Sequence, residues 1–135
     1  MREVLFRGKR ADNEEWIGGS VLQIDWCDKP STYSIAPNTP VSVFYSVIPE
    51  TVGQYTGLTD KNGTKIFEGD IIEVGDNPNY GGVAKKRIGI FIVEFYKGCF
   101  MKRKNGTSTY YHFIPSDEHN IIGNIHDNPE LLQKI

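Results

Sequence analysis

The chain is predicted to be a mostly β protein, and three observations carry that prediction. Short apolar or alternating runs recur along its 135 residues and are broken by Gly, Pro, Asn and Asp. This is the period-two punctuation of many short strands, not the period of amphipathic helices. The run from Ile88 to Tyr96 is rich in β-branched and aromatic residues, as expected of a central strand covered on both faces. Asn105-Gly106 supplies the dipeptide that best accepts positive φ at both centres of a tight hairpin turn.

In chain order, Val4 to Arg10 and Trp16 to Gln23 read as strands joined by the polar turn Ala11 to Glu15, a first hairpin. Residues 25–40 hold three prolines and read as an irregular connection with one short strand at Tyr33 to Ile35. Val41 to Ile48 is apolar and β-branched, a strand stopped by Pro49. Asp60-Lys61-Asn62-Gly63 suits a type I turn followed by a left-handed glycine. Glu68-Gly69-Asp70 turns the chain into a strand at Ile71 to Val74, and the Gly- and Asn-rich stretch from Gly75 to Gly82 reads as a loop. Taking Asn105-Gly106 as a two-residue turn pairs Lys104 with Thr107, Lys102 with Thr109 and Phe100 with Tyr111, giving strands Cys99 to Lys104 and Thr107 to Ile114. Ile121 to Ile125 is a last strand. Asn128 and Pro129 then suit the N-cap and first position of a short helical turn through Leu132.

Composition agrees with an ordered globular chain: 39% hydrophobic, 12% aromatic and 24% charged residues. A chain of this length buries roughly two-thirds of the surface it exposes when unfolded, enough for a core without disulfides or metal. No apolar run is long enough to span a membrane and the first residues lack a secretory apolar stretch, so a cytoplasmic protein is expected. Cys27 and Cys99 match no CxxC pattern and are expected to be free, largely buried thiols. The formal net charge is −2, but residues 85–104 carry seven basic side chains against Glu94 alone, +6, leaving −8 for the remainder. The chain is electrically divided.

The stretch from Glu50 to Asp70, with Thr51, Gly53, Gln54, Thr56, Gly57, Asp60, Gly63, Glu68, Gly69 and Asp70, resembles the central signature of the YopX family of phage and prophage proteins. Residues 121–132, with Gly123, Asn124, Asn128 and Pro129, resemble its closing motif, and Phe6-Arg7-Gly8 followed by Trp16 fits its opening hairpin. The resemblance implies a β-rich fold whose C-terminal half is similar to an SH3-like barrel, and the chain is read as an N-terminal β-hairpin lobe over 1–48 and an SH3-like barrel domain over 49–135. It implies no established activity and no catalytic residues. The motif also has a local reading: its glycines stand where backbone geometry excludes a side chain, and Asp60 and Asp70 are placed to accept backbone N–H bonds in turns.

Four candidate sites follow. Glu50, Asp60, Glu68 and Asp70 could divide acid and base roles in a hydrolase, but no nucleophile elbow or phosphate loop accompanies them. His112, His119 and His126 recur at intervals of seven, yet Pro115 and Gly123 interrupt any helix that would align them as metal ligands. Neither a metal nor a cofactor is expected. Lys85, Lys86, Arg87, Lys102, Arg103 and Lys104, interleaved with aromatics including Tyr110 and Tyr111, form a candidate surface for single- or double-stranded nucleic acid. Trp16, Trp26, Tyr33 and Tyr45 are candidate anchors for a protein partner. The reading that follows is a non-enzymatic module binding a host or phage protein or a second copy of itself, with nucleic-acid binding as the alternative and no membrane.

Overall fold

The computed structural model describes residues 4–37, 43–75, 88–114 and 117–132. The chain divides into two compact units, Met1–Gly57 and Leu58–Ile135. The described residues are strand, turn and loop, with short 3-10 turns at Pro49–Thr51 and Pro129–Leu131 and no α-helix among them. The fold is mostly β, as expected.

In the first unit, β1 (Phe6–Lys9) and β2 (Trp16–Ile24) form the expected hairpin, in register from Phe6↔Gly19 to Lys9↔Trp16. β2 continues beyond its partner and pairs Ser20 to Ile24 with β3 (Thr32–Ala36). The expected strand Val41 to Ile48 contracts to β4 (Tyr45–Ser46) and a bridge between Arg10 and Val47, its first two residues lying outside those described. The start of β5 (Gly53–Thr59) pairs with the other side of β1 at Arg7 and Phe6. Ile35 and Val47 are the buried centre of this unit, and both press on Gly8, where a Cβ would lie 3.1 Å from the Ile35 side chain.

In the second unit the end of β5 is the neighbour of β6 (Lys65–Phe67). The turn between them is the one expected: Asp60 Oδ1 accepts from Asn62 N and Thr64 N at 2.9 Å, and Gly63 takes φ +82°. β7 (Asp70–Val74), β8 (Gly89–Tyr96), β9 (Cys99–Lys104), β10 (Tyr110–Tyr111) and β11 (His119–Asn124) form an antiparallel sheet in the order β10-β9-β8-β7-β11. β8 is central, and its consecutive Phe91, Ile92 and Val93 are all buried, so both faces are covered. Ile66, Ile72, Val74, Phe91 and Val93 make the core, with Tyr111, Phe113 and Ile121 packed against it. β10 and β11 end this sheet, so the described residues form two antiparallel sheets that are not closed into the SH3-like barrel the resemblance implied.

Three local expectations are corrected. The two-residue turn belongs to Lys97-Gly98, at φ +49° and +88°, which closes β8 onto β9 with Tyr96 opposite Cys99. Asn105-Gly106 instead sits in a longer loop, because Thr107 Oγ1 donates to Lys104 O while accepting from Thr109 N. β9 and β10 therefore pair Arg103 with Tyr110 and Lys102 with Tyr111, two residues from the expected register, which preserves the faces. Both cysteines are exposed: Cys99 starts a strand beside a turn, and Cys27 follows the free end of β2. Asn128 is the N-cap of the 3-10 turn that Pro129 opens, as expected, but its side chain makes no cap bond; Oδ1 reaches back to accept from Asn124 N. A Cβ on Gly123 would fall 2.5 Å from that Oδ1, so the position requires glycine.

Candidate ligand site beside a buried lysine

Alternation along β9 sends Lys102 to the face it shares with its cross-strand partners Val93 and Tyr111, and its side chain is wholly buried. Nζ lies 2.9 Å from His119 Nε2 and 3.5 Å from Asp117 Oδ2. It also stands over the rings of Phe91 and Phe113, at 5.1 and 5.6 Å from their centroids. A buried ammonium is tolerated only when its charge is answered, and here a buried carboxylate and two aromatic faces answer it. An ammonium has donors only, so His119 Nε2 accepts and the ring proton resides on Nδ1. Burial, reinforced by the neighbouring Lys102 and opposed by Asp117, pushes the His119 pKa down to about 4, so the imidazole is neutral in ordinary conditions.

His119 and Asp117 line a cavity of about 320 Å³. Leu58, Ile66, Phe113 and Ile114 give it an apolar lining, and Asp60, Lys61 and Glu118 complete the polar side. Asp60 is held from several directions. Burial opposes its ionisation, but N–H bonds from Thr64, Ile121 and Asn62 outweigh that cost and keep the carboxyl below the usual range. Lys61 N donates to His119 O, fastening the same turn to β11.

The other sequence candidates are distributed as follows. Lys85, Lys86 and Arg87 lie outside the described residues. Arg103 Nε donates to Glu94 Oε2 at 2.8 Å and its NH1 group to Thr107 O, while the Tyr110 hydroxyl donates to Glu94 Oε1 at 2.7 Å. That bond raises the Tyr110 pKa. Tyr110 also stacks on Tyr96 at 3.8 Å. Tyr111 points the other way, edge-on to Phe91. The run Lys102-Arg103-Lys104 is thus not one cationic surface: Lys102 is internal and Arg103 is joined to an acid, while Lys104 stands opposite Phe91 in the β8–β9 ladder.

Among the motif residues, Thr51 accepts from Lys9 N and donates to Ile48 O. Gly53 and Gln54 pair with β1, Thr56 and Gly57 lie on β5, and Glu68 and Gly69 form the turn before β7. Asp70 Oδ2 accepts from Phe67 N at 2.7 Å. Asn124 Oδ1 accepts from His126 N and Asp127 N, and Pro129 opens the second 3-10 turn. Of the histidines, His112 is exposed, His126 half-buried and His119 buried. Among the described residues no group of His, Cys, Asp and Glu side chains gathers as metal ligands.

Sequence reasoning missed the Lys102–Asp117–His119 cluster. Its one legible signal was the Lys97-Gly98 turn, which sets Lys102 opposite Val93 in the most apolar strand of the chain.

The geometry defines an all-β chain of two compact units, the second holding a buried lysine, aspartate and histidine beside a mostly apolar cavity. The chain belongs to the YopX family: the family model described as YopX protein matches residues 5–133. It is similar to the crystal structure of protein EF1440 from Enterococcus faecalis, at 25% identity and a TM-score of 0.57, over 98% of this chain and 100% of that one. Comparison with curated proteins gives no match. Among the described residues no helix is long and apolar enough to cross a membrane.

Proposed function

We propose that the chain is a non-enzymatic binding module for a protein partner, engaged through the far end of the β2–β3 ribbon. The observation that carries this reading is the exposure of Leu22, Ile24 and Trp26, at 42%, 40% and 43%. Leu22 and Ile24 share one ribbon face with their cross-strand partners Ser34 and Thr32, and Trp26 Nε1 donates to Thr32 Oγ1. Beyond the Ser34–Ser46 pair the ribbon is two-stranded, which is marginal alone in water, and large apolar side chains exposed together at such an end suit a surface covered by another protein. The end is also pre-organised. Asp25 accepts from Gln23 Nε2 and the Ser31 hydroxyl, and Lys29 stands 4.1 Å over the Trp26 ring, so little ordering remains for binding to impose.

The test places a photo-crosslinking amino acid at Leu22 or Ile24, and at the exposed Glu73 of β7 as a control. Discrete adducts with one protein from the ribbon positions, absent from the control and lost on replacing Trp26 by Ser, are expected. Equal labelling at both places sinks the reading.

A second reading, nucleic-acid binding, draws support from Phe95, which is 55% exposed and edge-on to Phe100, and from Lys97 beside Tyr96. It predicts oligonucleotide affinity that falls steeply with salt and is lost in Lys97→Glu. The protein partner is preferred because Lys102 is internal and Glu94 occupies Arg103.

A further inference from the structure

The cavity of the second unit has a recognition chemistry of its own. We propose that it is a binding site for a small uncharged molecule with an apolar ring-sized body and one hydrogen-bond acceptor, which His119 Nδ1–H engages.

Size and lining come first. A volume of about 320 Å³ lies at the lower end of the range for small-molecule sites, roughly 300–1,000 Å³, and such sites are mostly apolar with a few fixed polar groups. Leu58, Ile66, Phe113 and Ile114 are the apolar part. Leu58 is 42% exposed, so the cavity opens to solvent on its side.

The polar group is unusually well defined. His119 is only 8% exposed, yet it lines the cavity. Among the described residues its ring makes one hydrogen bond, through Nε2 to Lys102. That bond assigns the proton to Nδ1 and holds the ring, which also packs on Phe113 at 5.2 Å between centroids. The imidazole thus offers a donor and no second acceptor.

Charge then argues against an anion. Asp117 already answers Lys102, and backbone N–H groups already hold Asp60. Lys61 and Glu118 contribute opposite charges to the same lining. An anion would meet three carboxylates there; those carboxylates would attract a cation, so against it the selection rests on Nδ1–H alone, which presents a donor to a group that has no acceptor.

The experiment uses the full chain and three ring compounds of one shape: benzamide, uncharged with a carbonyl acceptor; benzoate, anionic; and benzamidinium, cationic without an acceptor. Backbone amide shifts and the His119 ring nitrogens are followed by NMR during titration. Benzamide is expected to shift Phe113, Ile114, Glu118 and His119 saturably and to move the Nδ1 resonance, with the charged analogues about tenfold weaker or worse, the size of one mismatched buried hydrogen bond. Leu58→Trp, which fills the cavity from an exposed position, should abolish the shifts while leaving the folded spectrum intact. His119→Gln should weaken benzamide about tenfold for the same reason. Failure of benzamide to saturate, equal binding by benzoate, or persistence of binding in Leu58→Trp overturns the proposal. If His119→Gln does not fold, Leu58→Trp and the charge series still decide it.

Discussion

At the far end of the β2–β3 ribbon, Leu22, Ile24 and Trp26 stand in solvent, whereas in the second unit Lys102, Asp117 and His119 are withdrawn from it. Both regions oppose the usual sorting of side chains, in opposite directions, and they are tolerated for different reasons. The buried trio is answered within the chain: the charge of Lys102 meets Asp117, a neutral imidazole and two aromatic rings, so each member is costly only if another is removed. The ribbon's apolar face has no such internal answer among the described residues, and its exposure costs little until something arrives to cover it. Interdependence marks the first region and availability the second.

The sharpest way to break this contrast is to remove one member of the trio. Lys102→Ala leaves Asp117 buried without its cation and is expected to cost about 3–5 kcal/mol in urea unfolding. Lys102→Met combined with Asp117→Leu should cost far less, and equal losses for the two variants would show that the residues are not coupled. Next in size is the effect of pH. The histidine has an ordinary pKa of 6.5 and a folded value of about 4, so between these values the unfolded chain takes up a proton that the folded chain refuses. Stability is therefore full above 6.5 and declines as the pH falls toward about 4, by up to about 3 kcal/mol. His119→Gln should remove this part of the slope, which unfolding curves across the window would register. The smallest effect belongs to the ribbon: Leu22→Ser with Ile24→Ser should change the stability of the free chain by no more than about 0.5 kcal/mol. A larger loss would mean that these side chains belong to the fold and not to an interface.

What could be read from the residues alone follows the range of the interactions. The Asp60–Gly63 turn, the first hairpin and the central strand β8 were legible because their causes are local: a carboxylate that accepts the next N–H groups, a polar pentad between alternating runs, a β-branched tract. The β9–β10 connection was misjudged because Asn105-Gly106 is a strong turn signal and the competing Thr107 hydroxyl bonds are a weak one. Lys102 was read as a surface charge because lysine almost always is one. Its burial depends on a β8–β9 register set at Lys97-Gly98 and on groups at 117 and 119 that reach it only through tertiary pairing. Asp60 and Asp70 were expected to accept backbone N–H bonds in turns, and Asp60 accepts from Asn62 N and Thr64 N while Asp70 accepts from Phe67 N.

β11 pairs with β7 across an interval of about fifty residues, Asp70 opposite Asn124 and Val74 opposite His119. β8, β9 and β10 pair as a local meander, so they are the low-contact-order part of the second unit, and Lys102 on β9 reaches His119 only through the long-range β7–β11 pairing.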